Sequence, residues 1–125
     1  MITVFHANNF GDNTKGYTKV AEIDVDTINE AYELTNNLNG SWSRGPELEY
    51  DGKKINNDDY DPRIKVTTDL PLNKKTGEVI GLRSTSSGDV IHDGNKYWFL
   101  VPLGPVVAID NFDINGFPYN EKGVA

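Results

Sequence analysis

The segment Leu82-Arg83-Ser84-Thr85-Ser86-Ser87-Gly88-Asp89-Val90-Ile91 carries one arginine, four consecutive hydroxyl side chains and a Gly-Asp turn. Backbone N–H groups around Ser86, Ser87 and Gly88, the hydroxyls of Ser84 and Thr85, and the Arg83 guanidinium are the parts from which a phosphate- or carboxylate-binding loop is made. The ligand of such a site is a small anion, for example a nucleotide signal. A phosphate loop ordinarily opens a helix, whereas this segment leads into the strand-like run Val90-Ile91 and Tyr97-Trp98-Phe99-Leu100-Val101. The structural alternative is a polar corner of a sheet, with Asp89 bonding the turn and Arg83 paired to an acid.

Other chemistry has less to stand on. His6 and His92 are the only imidazoles. There is no nucleophile elbow, phosphate-cradling Walker loop, paired-glycine dinucleotide loop or His-Glu-x-x-His pair, so the chain is expected not to be an enzyme. Asn111-Phe112-Asp113-Ile114-Asn115-Gly116 partly imitates the opening of a calcium loop, but its twelfth position is Lys122 where a bidentate Glu belongs. A turn fits better, and neither metal nor cofactor is expected. Asp58, Asp59 and Asp61 form the tightest acidic cluster, and adjacent acids in a loop are mostly solvated. Trp42, beside Ser41, Ser43, Arg44 and Gly45, can anchor a partner protein or fold back onto the core. Taken as a partner-facing set, the candidates are Trp42, Arg44, Asp58, Asp59 and Asp61. Taken as a ligand-binding set, they are Arg83, Ser84, Thr85, Ser86 and Ser87.

Bulk properties bound what these residues can serve. A chain of 125 residues buries roughly two-thirds of its unfolded surface, enough for a core without covalent staples. There is no cysteine, which excludes disulfides, thiol chemistry and cysteine-ligated metal. The net charge of −7, from 19 acids against 12 bases, opposes direct binding to nucleic acid. It leaves open an acidic surface that imitates DNA, although ordinary colloidal solubility explains the same charge. No apolar run approaches the roughly 20 residues that span a bilayer, and Met1 to His6 lacks the pattern of a signal peptide. A cytoplasmic, membrane-free protein is expected.

The elements that must position these residues are short. Met1 to Ala7 reads as a strand with Ile2, Val4 and His6 on one face and Thr3 and Phe5 on the other. A turn-rich loop over 8–16 follows. Tyr17 to Val25 then alternates, grouping Tyr17, Lys19, Ala21, Ile23 and Val25 against Thr18, Val20, Glu22 and Asp24. One helix is predicted over about 26–38, capped by Asp26, with Thr27 and Glu30 in its first turn and Ile28, Ala31, Tyr32, Thr35 and Leu38 on one face. Gly40 is placed to end it in a left-handed conformation. Residues 40–62 read as a long irregular loop, broken by a short strand or hairpin around Glu49 to Ile55. Further strands are expected at Arg63 to Thr68, Glu78 to Leu82 and Val106 to Ile109, and a hairpin turning on Asp93-Gly94 over about 89–101. The sum is a single α+β domain over 1–125: a mostly antiparallel sheet with one covering helix and a C-terminal extension, 104–125.

Ala31-Tyr32-Glu33-Leu34-Thr35-Asn36-Asn37-Leu38, Ser41-Trp42, the Leu82–Ile91 segment and Tyr97-Trp98 together resemble a family of small, largely uncharacterised proteins of tailed bacteriophages. That family has a helix with a similar "LTN" end, a following Trp and an "RSTSVGDV" segment before a terminal hairpin. The pattern is also similar to the YodL-like module of mobile elements. Ser87 stands where the pattern has Val, and the chain from Gly104 onward is an addition to it. The resemblance implies a phage accessory protein in the host cytoplasm that binds, and modulates or inhibits, a host or anti-phage-defence protein.

Overall fold

The structure, a computed structural model, describes residues 1–101, 104 and 106–119. Strands β1 (Ile2–Asn9) and β2 (Asp12–Ile23) form a long hairpin that turns at Phe10-Gly11. The strands therefore run through most of the 8–16 stretch expected to be a loop. After β2 come α1 (Ile28–Leu34), β3 (Glu47–Tyr50), β4 (Lys53–Asn56), β5 (Ile64–Val66), β6 (Val90–His92), β7 (Tyr97–Leu100) and β8 (Val106–Ile109). Six strands make one sheet in the order β5-β2-β1-β6-β7-β8, and every pairing is antiparallel. The molecule is thus a mostly antiparallel α+β fold, with one short helix among the described residues.

Hairpins follow the local chemistry. Asp93-Gly94 turns β6 into β7, and Asp93 Oδ1 accepts the N–H groups of Asn95 and Lys96. Asp51 (φ 52°) and Gly52 (φ 75°) both take positive φ between β3 and β4, the requirement of a two-residue turn matched to strand twist. This hairpin falls where the sequence places a short strand or hairpin, around Glu49 to Ile55, within the otherwise irregular 40–62 stretch. No strand forms over 78–82; a single bridge joins Leu72 to Val79.

Both faces of the large sheet are covered. On one face Ile2, Val4, Val20, Ile23 and Ile91 pack beneath Ala31 of α1 and Trp42. On the other, Phe5, Tyr17, Val90 and Phe99 lie under Phe112, Phe117 and Tyr119 of the C-terminal extension. Tyr97 stacks on Phe112 at 4.6 Å, and Tyr17 on Phe117 at 5.6 Å. The extension, as far as Tyr119, adds an edge strand and an aromatic cover. The rest of it, 120–125, lies outside the described residues.

Two sequence-based expectations fail for local reasons. Ala21 pairs with Val4 and Lys19 with Phe5, so Val20 is an extra residue, a β-bulge. The bulge sends Tyr17 to the aromatic side and Val20, Ala21 and Ile23 to the helix side, where unbroken alternation had put Tyr17 with Ala21. The helix also stops at Leu34 rather than Leu38. Its N-cap is Thr27, not Asp26; the Thr27 side chain accepts the Glu30 N–H. At the other end Thr35 Oγ1 donates to the Ala31 carbonyl at 2.8 Å and Asn36 Nδ2 donates to the Tyr32 carbonyl, closing the last turn. Leu38 is then 75% exposed. Gly40 is not in the left-handed region; it is needed because a Cβ there would sit 2.3 Å from Asn57 Oδ1.

Candidate functional site

The hydroxyl segment crosses the end of β1 and carries a buried polar cluster. Asp89, fully buried, lies at its centre. Arg83 donates to both carboxylate oxygens, Nη1 to Oδ2 at 2.7 Å and Nη2 to Oδ1 at 2.8 Å. Ala7 N–H donates to Oδ1 and Ser86 N–H to Oδ2, each at 2.8 Å. Four donors therefore converge on one carboxylate, two to each oxygen. These are the charge-assisted bonds and loop amides expected of an anion site. The anion they hold belongs to the chain itself.

The remaining bonds are equally internal. Arg83 also donates to the carbonyls of Ser84 and Ala7, and its guanidinium lies 5.0 Å from the centre of the Phe10 ring. Ser84 Oγ accepts Asn37 N–H at 2.8 Å. Thr85 N–H donates to the Thr35 carbonyl, tying the segment to the end of α1, and Thr85 Oγ1 lies 2.8 Å from His6 Nε2. Ser87 is half-buried and borders a groove beside α1. Tyr17 Oη donates to the Gly88 carbonyl at 2.5 Å. Gly88 takes φ 92°, and a Cβ on it would meet Gly11 Cα at 2.7 Å, so only glycine fits where the segment crosses the β1–β2 turn.

Burial lowers the His6 pKa from 6.5 to about 4, with nearby Asp89 opposing the shift and Arg83 adding to it. His6 is accordingly neutral near pH 7. Burial raises the Tyr17 hydroxyl above its ordinary range, with Asp89 adding to the effect. His6, Thr85 and Asp89 share residue types with a nucleophilic triad, but Thr85 is 1% exposed, leaving its hydroxyl no route to a substrate. His92 belongs to the Asp93 turn: its Nδ1 accepts Gly94 N–H, and its ring packs on Tyr97.

An open groove of about 560 Å³ runs beside the cluster, lined by His6, Asn8, Thr18, Asn37, Asp69, Ile80 and Arg83, among others. Its one cation is compensated by Asp89, its histidine is neutral, and Asp69 adds a negative charge. An anionic ligand entering it finds no unopposed positive charge. The ligand-binding set Arg83, Ser84, Thr85, Ser86 and Ser87 is therefore brought together, but mainly as a corner of the sheet whose cation is already paired.

The partner-facing set divides. Trp42 is 1% exposed, a correction to its reading as a surface anchor: it packs edge-on to His6 at 6.0 Å and donates Nε1–H to the Arg83 carbonyl at 2.8 Å. Its bulk closes the helix-side core, and its one polar atom finds a buried acceptor. Asp59 is also drawn inward. Its Oδ2 accepts three consecutive backbone N–H groups, from Leu38, Asn39 and Gly40. Asp61 holds Arg63 through both carboxylate oxygens, and the hydrogen bond from Arg63 lowers its pKa. Asp58 is exposed, and Arg44 borders a groove with Tyr50 and Val79. Among the described residues no three His, Asp or Glu side chains gather as a cation site. Asn111 Nδ2 donates to the Pro118 carbonyl and Asp113 Oδ1 accepts Asn115 N–H, the bonds of a turn.

His6, Ala7, Tyr17 and Asp89 were not singled out as site residues. The bonds that join them span 71 to 82 positions of chain, which no local pattern encodes. The one signal was an acid six residues after Arg83 at a Gly-Asp turn. No family model, curated protein or solved structure matches this chain.

Proposed function

We propose that this protein is a non-catalytic binding protein of bacteriophage type that docks onto a host or anti-phage-defence protein in the host cytoplasm and modulates or inhibits it. The observation that carries the reading is where apolar surface is left uncovered. Of twelve exposed large hydrophobic side chains among the described residues, seven lie between Leu38 and Ile80, including Tyr50 at 72%, Leu72 at 55% and Ile80 at 57%. Segments that flank these side chains are tied to one another, which suits a docking surface. Asn37 bonds the Leu82 carbonyl, Ser43 Oγ accepts Leu82 N–H, and Asn57 bridges to Ser41 and Gly45. Apolar side chains held out on a fixed frame are characteristic of an interface. Arg44 and Asp58 remain available as polar contacts at its rim.

Sequestration of a small anion has less support because Asp89 occupies the nest that a nucleotide phosphate would need. A DNA-like acidic surface is weakened because Asp59 and Asp61 are committed to internal donors. The phage assignment rests on the sequence resemblance. The test is affinity capture from bacterial host lysate with wild type and with the surface variants Tyr50→Glu and Ile80→Glu. One partner retained at equal stoichiometry by wild type and lost from both variants supports the reading. A lysate that yields nothing, together with a nucleotide panel that raises the melting temperature, overturns it.

A further inference from the structure

The two edges of the six-stranded sheet differ. β5, at one edge, is three residues long and carries the exposed charge of Lys65, both ordinary protections against strand addition. β8, at the other, is Val106-Val107-Ala108-Ile109, with no charge or proline within it, and it pairs only with β7. Its outward N–H and C=O groups have no partner among the described residues. Leu100 pairs with Val106, which puts Val106 on the helix side of the sheet. There an open groove of about 480 Å³ lies between α1 and the edge, walled by Ile28 and Tyr32, floored by Ile91 and Leu100, and bordered by Val101 and Val106. A volume of that order falls within the range of ligand pockets, about 300–1,000 Å³.

We propose that the β8 edge and this groove form a second binding site, which takes an extended segment of a partner protein as an added strand. The edge supplies main-chain hydrogen bonds, and alternate side chains of the added strand point to the helix side, where the groove receives them. The segment is therefore one with bulky aliphatic or aromatic residues at every second position. A second copy of this chain fits poorly. Its own β8 would present only Val106 and Ala108 to the groove, side chains too small to fill a volume of that order. The lining of this site shares no residue with the exposed hydrophobics between Leu38 and Ile80.

The probe is a short fluorescein-labelled peptide of alternating threonine and leucine with a lysine at each end, titrated into the full chain and read by anisotropy. Its analogue N-methylated at every leucine and threonine keeps all the side chains but loses the strand donors. Saturable binding, weakened about ten-fold or more by the N-methylation and by V106K and Y32E, and unchanged in I114E, is the expected result. Amide exchange over 106–109 should slow when the peptide is bound. Each variant changes an exposed position, and its thermal melt confirms folding. No saturable binding, binding indifferent to the N-methylation, or wild-type affinity in both V106K and Y32E overturns the proposal. So does concentration-dependent dimerisation abolished by V106K, which would make the occupant a second copy. None of these outcomes bears on the lysate experiment.

Discussion

Replacing Asp89 by Asn tests whether the hydroxyl segment is a filled anion nest. The side chain keeps its shape, but one oxygen becomes an amide NH2. Whichever oxygen is lost, two donors lose their acceptor: Arg83 Nη2 and Ala7 N on one side, or Arg83 Nη1 and Ser86 N on the other. Breaking a buried ion pair by removing one partner costs about 3–5 kcal/mol. The Arg83 side chain is 31% exposed, so water recovers part of its solvation and the lower figure, about 3 kcal/mol, applies. For a chain of this length that corresponds to a melting temperature lower by roughly 10 °C. Circular dichroism melts and urea titration measure it. Asp89→Ala goes further, vacating a carboxylate-shaped cradle that still holds Arg83 and two amides. Formate added at high concentration should restore part of its melting temperature while leaving wild type unmoved. Removing both charges with Arg83→Met and Asp89→Leu should cost less than the sum of the single changes. A melting temperature for Asp89→Asn within about 3 °C of wild type, or no formate rescue of Asp89→Ala, would refute the reasoning.

Three further outcomes follow from the same geometry. Trp42→Phe keeps most of the apolar volume but leaves the Arg83 carbonyl without its donor; a loss of about 1–3 kcal/mol is expected in urea unfolding, with Trp42→Ala costing about 3–5 kcal/mol. Gly88→Ala must place a methyl group 2.7 Å from backbone at Gly11 with φ at 92°; a destabilisation of about 2 kcal/mol or more is expected, and a neutral result would contradict the close crossing. The third concerns pH. The folded-state pKa of His6 is depressed from 6.5 to about 4, so its contribution is fully present above pH 6.5 and is lost as the pH falls toward 4, because the unfolded chain takes up a proton that the folded chain refuses. The loss is roughly 3 kcal/mol across that window. His6→Gln should flatten that part of the stability profile, and an unchanged slope would count against burial of a neutral imidazole.

Much of the local structure is legible in the chain. Asp93-Gly94 marks its turn, Asp51-Gly52 turns the β3–β4 hairpin, and Thr27 with Glu30 opens the helix, because each depends on residues within four positions of one another. Where a nearby side chain competes for the backbone, the pattern misleads. Thr35 and Asn36 stop the helix a turn before its apolar spacing ends. One extra residue at Val20 exchanges the faces of β2, since side-chain period two makes every later residue depend on the register.

The candidate site divides along the same line. Composition and spacing were enough to mark the 83–89 segment as a place where donors and an arginine gather, and to offer Asp89 as a turn residue. Only the tertiary structure determined that Asp89 is the anion those donors hold, because β1 brings Ala7 and His6 against a segment about eighty residues later. The same holds for Trp42: a tryptophan between two serines and an arginine reads alike whether it faces a partner or the core. What decided its burial was an acceptor at Arg83 and a ring at His6, both delivered by the tertiary fold rather than by neighbours in sequence.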